Sequence, residues 1–215
     1  DIGSTYVKEA IKCKKWAFAA DVVRLYALYT CGGIYMDSDV IVRKPLDIFL
    51  DNDVTFFQEY HKSLAKSNSV GVLDENGNRL GNSMPIGIGL QAAFMISKKG
   101  SPVVKDMLSY YDNKHFLKKD GTMATDIIAP TIFALQLEKY GYRYVDEEQN
   151  LDCGVKVLPS WYVAPGKSEC DKRNYAIHCI NHSWKSDSIV YRLVQLLKAP
   201  IRRMMGIDVK SLSKK

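Results

Sequence analysis

Residues 16–45 read WAFAADVVRLYALYTCGGIYMDSDVIVRKP, and this run decides the fold class. From Lys15 to Cys31 the chain carries few breakers, and Trp16, Phe18, Val22, Val23, Leu25, Ala27 and Leu28 make it apolar on nearly every side. Such a stretch predicts a buried helix, closed by Gly32 and Gly33. Ile34 to Val42 then reads as an inner strand, ended by Pro45. Residues two apart in a strand share a face, so Asp37 and Asp39 can present both carboxylates to one point while Ser38 faces away. Two like charges so close repel unless a cation lies between them, and hard oxygen ligands at a strand end suit Mg²⁺ or Mn²⁺.

Outward from this run, the pattern predicts alternating short elements. Leu46 to Leu50 is a turn of helix and Val54 to Gln58 a strand. His61 to Pro85 is polar and turn-rich, a long surface excursion of the kind that forms substrate loops. Ala92 to Ser97 returns as a strand, and Ser101 and Pro102 start a helix to about Tyr111. A second helix is expected over Ala124 to Lys139, then strands at Tyr142 to Val145, Val155 to Leu158 and Tyr175 to Cys179, and a last helix from Ser188. Helices and strands alternating at these lengths predict an α/β sheet sandwiched by helices.

The chain of 215 residues is 47% apolar and 25% charged, ordinary for one globular domain. No run approaches the length of a membrane span and no secretory leader is visible, so the expected location is cytoplasmic. Five cysteines without a CxxC pair fit neither a disulfide framework nor a structural zinc site. The net charge of +6 lies wholly in the segment from Lys185 to Lys215, where eight basic residues face only Asp187 and Asp208. That asymmetry differs from the basic, aromatic platform of a nucleic-acid-binding surface, and no nucleic-acid partner is expected.

On the predicted helix, Asp21 and Arg24 are three residues apart and share a face. Charges on an otherwise apolar helix are costly unless paired or used, so the pair is either an internal salt bridge or part of a site. The whole run from Trp16 to Pro45 resembles the glycosyltransferases with a sugar-binding region containing a DXD motif. That family takes in fungal initiating mannosyltransferases, bacterial capsular and lipopolysaccharide transferases and, more distantly, the clostridial glucosylating toxins. The resemblance implies a single α/β domain of the GT-A type with a mixed, mainly parallel Rossmann-like sheet. It also implies that this chain lacks the N-terminal strand and helix with which relatives begin.

Roles follow from the resemblance residue by residue. Asp21 and Arg24 match the pair that contacts the donor sugar, and Asp37 and Asp39 match the DXD pair that holds ribose and the metal-bound diphosphate. YAIHCINHSW, Tyr175 to Trp184, resembles the closing motif of the family. In that register His178 is a metal or diphosphate ligand, and Ser183 and Trp184 close over the nucleotide. The segments ending at Pro102 and Pro130 resemble elements that line the acceptor side, with Gln91 and Asp126 as candidates. For Asp126 a helix N-terminal charge is an equally good reading.

The implied reaction is metal-dependent transfer of a sugar, with retention, from a UDP- or GDP-sugar to a hydroxyl of a glycan or lipid-linked saccharide. Paired carboxylates also serve metal-dependent phosphohydrolases and nucleotidyltransferases, and a degenerate transferase can survive as a glycan-binding domain. The catalytic domain is expected over 1–187. Residues 188–215 form a basic amphipathic helix and tail, which either packs on the domain with its charges in water or attaches peripherally to an anionic membrane surface.

Overall fold

The computed structural model describes residues 3–166 and 170–179, which all belong to one compact unit, Asp1–Ile180. Ser4 caps the first helix, its hydroxyl accepting from the Val7 amide, and α1 runs over Thr5–Lys12. Helix α2, Trp16–Cys31, is the helix expected from the sequence. Its apolar side supplies Phe18, Val22, Leu25 and Leu28 to the core, and Asp21 and Arg24 are buried with them. Gly32 ends α2 at φ 70° and ψ −172°, backbone that side chains rarely adopt.

Strand β1, Gly33–Met36, follows at once and pairs antiparallel with a later strand. Here the expected single strand over 34–42 is corrected. Asp37, Ser38 and Asp39 form a turn closed by the Val40 amide donating to the Asp37 carbonyl at 3.0 Å. Strand β2, Val40–Val42, starts in a different sheet. The expected turn of helix is a 3-10 turn at Asp47–Phe49, and β3, Val54–Tyr60, is the central strand.

The excursion after His61 contains a short helix, α3, Lys62–Asn68, and an antiparallel bridge between Leu73 and Arg79. Strand β4, Ile88–Leu90, pairs with the far half of β3, and β5, Phe94–Ser97, with the near half. Gln91, Ala92 and Ala93 interrupt the line between them, so the strand starts later than the sequence suggests. Helix α4, Pro102–Ser109, has Ser101 as its cap, as expected. Helix α5, Ala129–Leu137, starts well after Ala124, because Pro130 suits only a first turn and the residues before it are extended or bent.

Strand β6 is Gln149–Leu151, whereas Tyr142 to Val145 forms no strand. Buried Tyr142 and Tyr144 mimic a strand signal, but the Gln149 side chain holds this segment as a loop by bonding Arg143 on both its amide and its carbonyl. Strands β7, Val155–Leu158, β8, Val163–Ala164, and β9, Ala176–His178, complete the described residues. The basic segment from Ser188 lies outside the described residues. No helix among the described residues is long and apolar enough to cross a membrane.

The larger sheet runs β1-β5-β3-β7-β6 with β4 added to β3, and the smaller runs β2-β9-β8. This is the mixed α/β architecture expected of a GT-A-like domain. Among the described residues parallel pairing is less frequent than expected, being confined to β3–β7 and β8–β9. Each face of the larger sheet has its own core. Val54, Phe56, Met95 and Val157 pack against α1, α2, α4 and α5, whereas Phe57, Phe94, Ile96 and Leu158 pack with Phe49, Val163 and Ala176 beneath the smaller sheet.

The junction at Gly32 is tight as well as left-handed. A Cβ there would lie 2.6 Å from the Lys99 amide nitrogen. Gly32→Ala is expected to destabilise the chain by about 1–3 kcal/mol, measured by denaturant unfolding. Alanine at Gly100, which has positive φ but open space around it, is the control for the clash.

Candidate functional site

Arg24 organises the site from helix α2. Its Nη1 donates to the Ala92 carbonyl at 2.5 Å, its Nε to Ala20 O at 3.2 Å, and its Nη2 lies 3.1 Å from Asp21 Oδ1. The same Nη1 lies 3.5 Å from Asp37 Oδ2, and the guanidinium stands 4.9 Å over the Tyr35 ring. The Tyr35 hydroxyl donates to Asp37 Oδ1 at 2.6 Å. Asp37 is therefore held on both oxygens before any ligand arrives.

The break at Gln91 to Ala93 serves this arrangement. It turns the Ala92 carbonyl toward Arg24 and the Ala93 carbonyl toward the Asp37 amide, which donates to it at 2.9 Å. Gln91 is wholly buried. Its Oε1 accepts from the Ala93 amide at 3.2 Å, while its Nε2 has no hydrogen-bond partner among the described residues. Buried polar groups are seldom left so, and this unpaired donor stands next to the residue that binds Arg24.

The turn after Asp37 carries the chain to the smaller sheet, where Val40 pairs with His178. Asp39 thereby meets His178, whose Nε2 lies 3.5 Å from Asp39 Oδ1, and whose buried Nδ1 has no partner among the described residues. One ligand atom each from Asp37, Asp39 and His178 lies within 4.8 Å of the others. Two carboxylates and an imidazole at that spacing can hold a divalent cation, and their hard oxygen and nitrogen donors suit Mg²⁺ or Mn²⁺. The carboxylates come together through a turn, not through the period-two geometry of one strand.

Electrostatics sets the two carboxylates near Arg24 apart. Burial pushes the Asp21 carboxyl up to about 7, against the opposing pull of Arg24 and with some help from the charge of Asp37. Burial also works against the Arg24 charge, but Asp21 and Asp37 outweigh it and hold the guanidinium ionised. The Tyr35 hydroxyl is raised by burial and by its bond to Asp37, so it remains a donor.

Residues 3–61 match the family model of the glycosyltransferase sugar-binding region containing DXD motif. Over this segment the chain is similar to the glycosyltransferase sugar-binding region. The match spans α1, α2, β1, the DSD turn, β2 and β3, and so includes Asp21, Arg24, Tyr35, Asp37 and Asp39. A search of curated proteins gave no match to the chain.

Of the other residues expected at the site, His178 joins the cluster from outside the matched segment, and Gln91 is buried next to Ala92, whose carbonyl binds Arg24. Asp126 does not: it is exposed, ahead of α5, and pairs with Lys118. Nor does it cap the helix, whose N-cap is Ile128. Ser183 and Trp184 lie outside the described residues. Tyr35 was not anticipated, although its place two residues before Asp37 on β1 gives it the same face.

A carboxyl raised by burial keeps its proton in the folded chain between its usual 3.8 and about 7. That contribution to stability is full below the lower value and is lost as pH rises through the upper one. Asp21→Asn, a neutral stand-in for the protonated acid, is expected to gain melting temperature relative to the native chain between pH 5 and pH 8. Parallel pH profiles for the two would contradict the burial effect. Arg24→Ala leaves Asp21 and the Ala92 carbonyl without their partner and is expected to cost about 3–5 kcal/mol at pH 8.

Proposed function

We propose that the chain transfers a sugar from a nucleotide-diphosphate donor, a UDP- or GDP-sugar, to a hydroxyl of a glycan or lipid-linked saccharide, with retention at the anomeric carbon. One observation carries this reading. The Asp21–Arg24–Asp37 cluster, matched to a sugar-binding region, and the Asp37–Asp39–His178 cluster, able to hold a cation, share Asp37. A sugar and the diphosphate attached to it need two such neighbouring sites.

The charges argue for a metal-dependent reaction. Asp21 and Asp37 face the Arg24 guanidinium and Asp39 lies beside Asp37, so an anionic diphosphate would be repelled from this site without additional positive charge. Asp39 and His178 would hold Mn²⁺ or Mg²⁺, with Asp37 on the metal or the donor ribose. The ion would supply neutralisation of the charge that develops on the departing diphosphate. Asp21 and Arg24 bind and orient the sugar: the carboxylate accepts from its hydroxyls, and the guanidinium donates. Gln91 would support this site from behind, through the Ala92–Ala93 segment that binds Arg24 and the Asp37 amide. Ser183 and Trp184 would close over the nucleotide.

A phosphohydrolase or nucleotidyltransferase would have no use for the buried helix pair, and a binding-only domain would not need the cation cluster. The basic segment 188–215 is the proposed attachment to an anionic membrane on the cytoplasmic side, where lipid-linked acceptors lie.

Incubation with UDP- and GDP-sugars and Mn²⁺, measuring nucleotide release and product mass together, tests the reading. The native chain is expected to release nucleotide only with metal and to form a glycosylated product. Asp39→Ala should lower that rate by roughly two orders of magnitude or more. In the metal-free protein the variant should melt no lower than the native chain, because removing one crowded carboxylate relieves repulsion. Near-normal turnover of Asp39→Ala in Mn²⁺ would sink the metal assignment.

A further inference from the structure

The far end of β2 carries a second charged surface. Arg43 Nη1 donates to the Asp171 carbonyl at 2.7 Å and to Cys170 Sγ at 3.2 Å, and Lys44 Nζ donates to the Arg173 carbonyl at 2.8 Å. Each of these partners is neutral. Lys172 is exposed beside them, and Asp171, the acid of the group, pairs with Arg173. Among the described residues the patch is therefore strongly positive, with Arg43, Lys44 and Lys172 not neutralised by carboxylates.

The surface is built rather than frayed. Buried Asn174 donates to the Trp161 carbonyl at 2.6 Å and accepts from the Asp171 amide, and the Tyr175 amide donates to the Tyr162 carbonyl at 2.8 Å. The Arg43 amide donates to the Tyr175 carbonyl at 2.8 Å. Trp161, Tyr162 and Tyr175 stack in a row, with Arg173 over the Trp161 ring at 5.5 Å and Lys44 over the Tyr175 ring at 4.8 Å. Cations held this way lose little freedom when an anion binds. Arg43 uses only Nη1 for the contacts above, which leaves the rest of its planar fork open to a carboxylate.

Its position points to the partner. Arg43 directly follows β2 and Asp39 directly precedes it, roughly 13 Å apart at the rise of an extended chain. The patch thus belongs to the sheet that carries Asp39 and His178, within a short glycan's length of them.

We infer that this surface is a subsite for an acidic saccharide, the carboxylate-bearing part of an acceptor glycan, read by Arg43, Lys44 and Lys172 beside the Trp161–Tyr162–Tyr175 row. Carboxylates supply the charge that the patch lacks, and sugar rings pack on aromatic edges and faces. The word acceptor rests on the transfer reading; the binding itself does not.

The test is a binding titration of the full chain with an oligosaccharide of alternating glucuronate and N-acetylglucosamine, against a neutral N-acetylglucosamine oligomer of the same length. The acidic ligand is expected to bind about tenfold tighter at low salt, and the difference should shrink as salt screens it. Arg43→Ala and Lys172→Glu should each remove most of the preference, while nucleotide release from the donor without acceptor stays at the native rate. Lys172→Glu decides if Arg43→Ala loosens the 170–175 turn. Equal binding of the two oligosaccharides, no binding of either, or a stronger response to anionic vesicles or RNA than to the acidic saccharide would overturn the inference. Absence of nucleotide release in the native chain would instead sink the transfer reading and leave the binding result to stand or fall by itself.

Discussion

Only 5% of the Arg24 side chain remains exposed, and a guanidinium cannot give up its charge at any ordinary pH, so the structure around it is arranged to meet that charge. Helix α2 supplies Asp21 and the Ala20 carbonyl, β1 supplies the Tyr35 ring and the way to Asp37, and the break before β5 supplies the Ala92 carbonyl. These elements must keep their relative positions or leave a buried cation without partners. The left-handed glycine between α2 and β1 and the interruption at Gln91 to Ala93 both follow from this requirement. A helix could otherwise run on past Cys31, and β4 and β5 could otherwise be one strand.

The DSD turn makes the site a junction between two cores. Asp37 is fixed by the larger sheet and Arg24, while Asp39 and His178 belong to the smaller sheet that covers the opposite core. A ligand that engages all three residues joins parts of the chain that pack independently, and its binding energy adds to the stability of their association. The sheet ends thus serve both as scaffold and as binding edge, as strand ends do in other α/β folds.

The most local features were the most legible in the sequence. An uninterrupted apolar helix with one charged pair, a double glycine and two aspartates two apart identified α2, its end and the carboxylates of the site. What the sequence hid depended on partners far along the chain. The run IYMDSDVIV has strand composition throughout, and nothing within it shows that its halves pair with β5 and β9 in different sheets. The same holds for strand direction, since parallel or antiparallel pairing is decided by connections and not by composition. Tyr142 to Val145 misled because buried aromatics carry the same signal in a loop held by a glutamine as in a strand. Asp126 misled because a proline fixed the start of α5 further along than the apolar pattern suggested.

Asp37 has little room to move, because Tyr35 and Arg24 hold its two oxygens and the Ala93 carbonyl holds its amide. Asp39 and His178 face each other at 3.5 Å, and His178 Nδ1 has no hydrogen-bond partner among the described residues. A ligand shared by the three would bridge Asp37, tied to the larger sheet, and His178 on the smaller one. In the proposed transfer, sugar recognition falls to Asp21 and Arg24, which are buried in helix α2. The proposed diphosphate side is the turn with β2 and β9, against the smaller core. Arg24 fixes this division, because its buried charge ties Asp37 to helix α2 and the larger core.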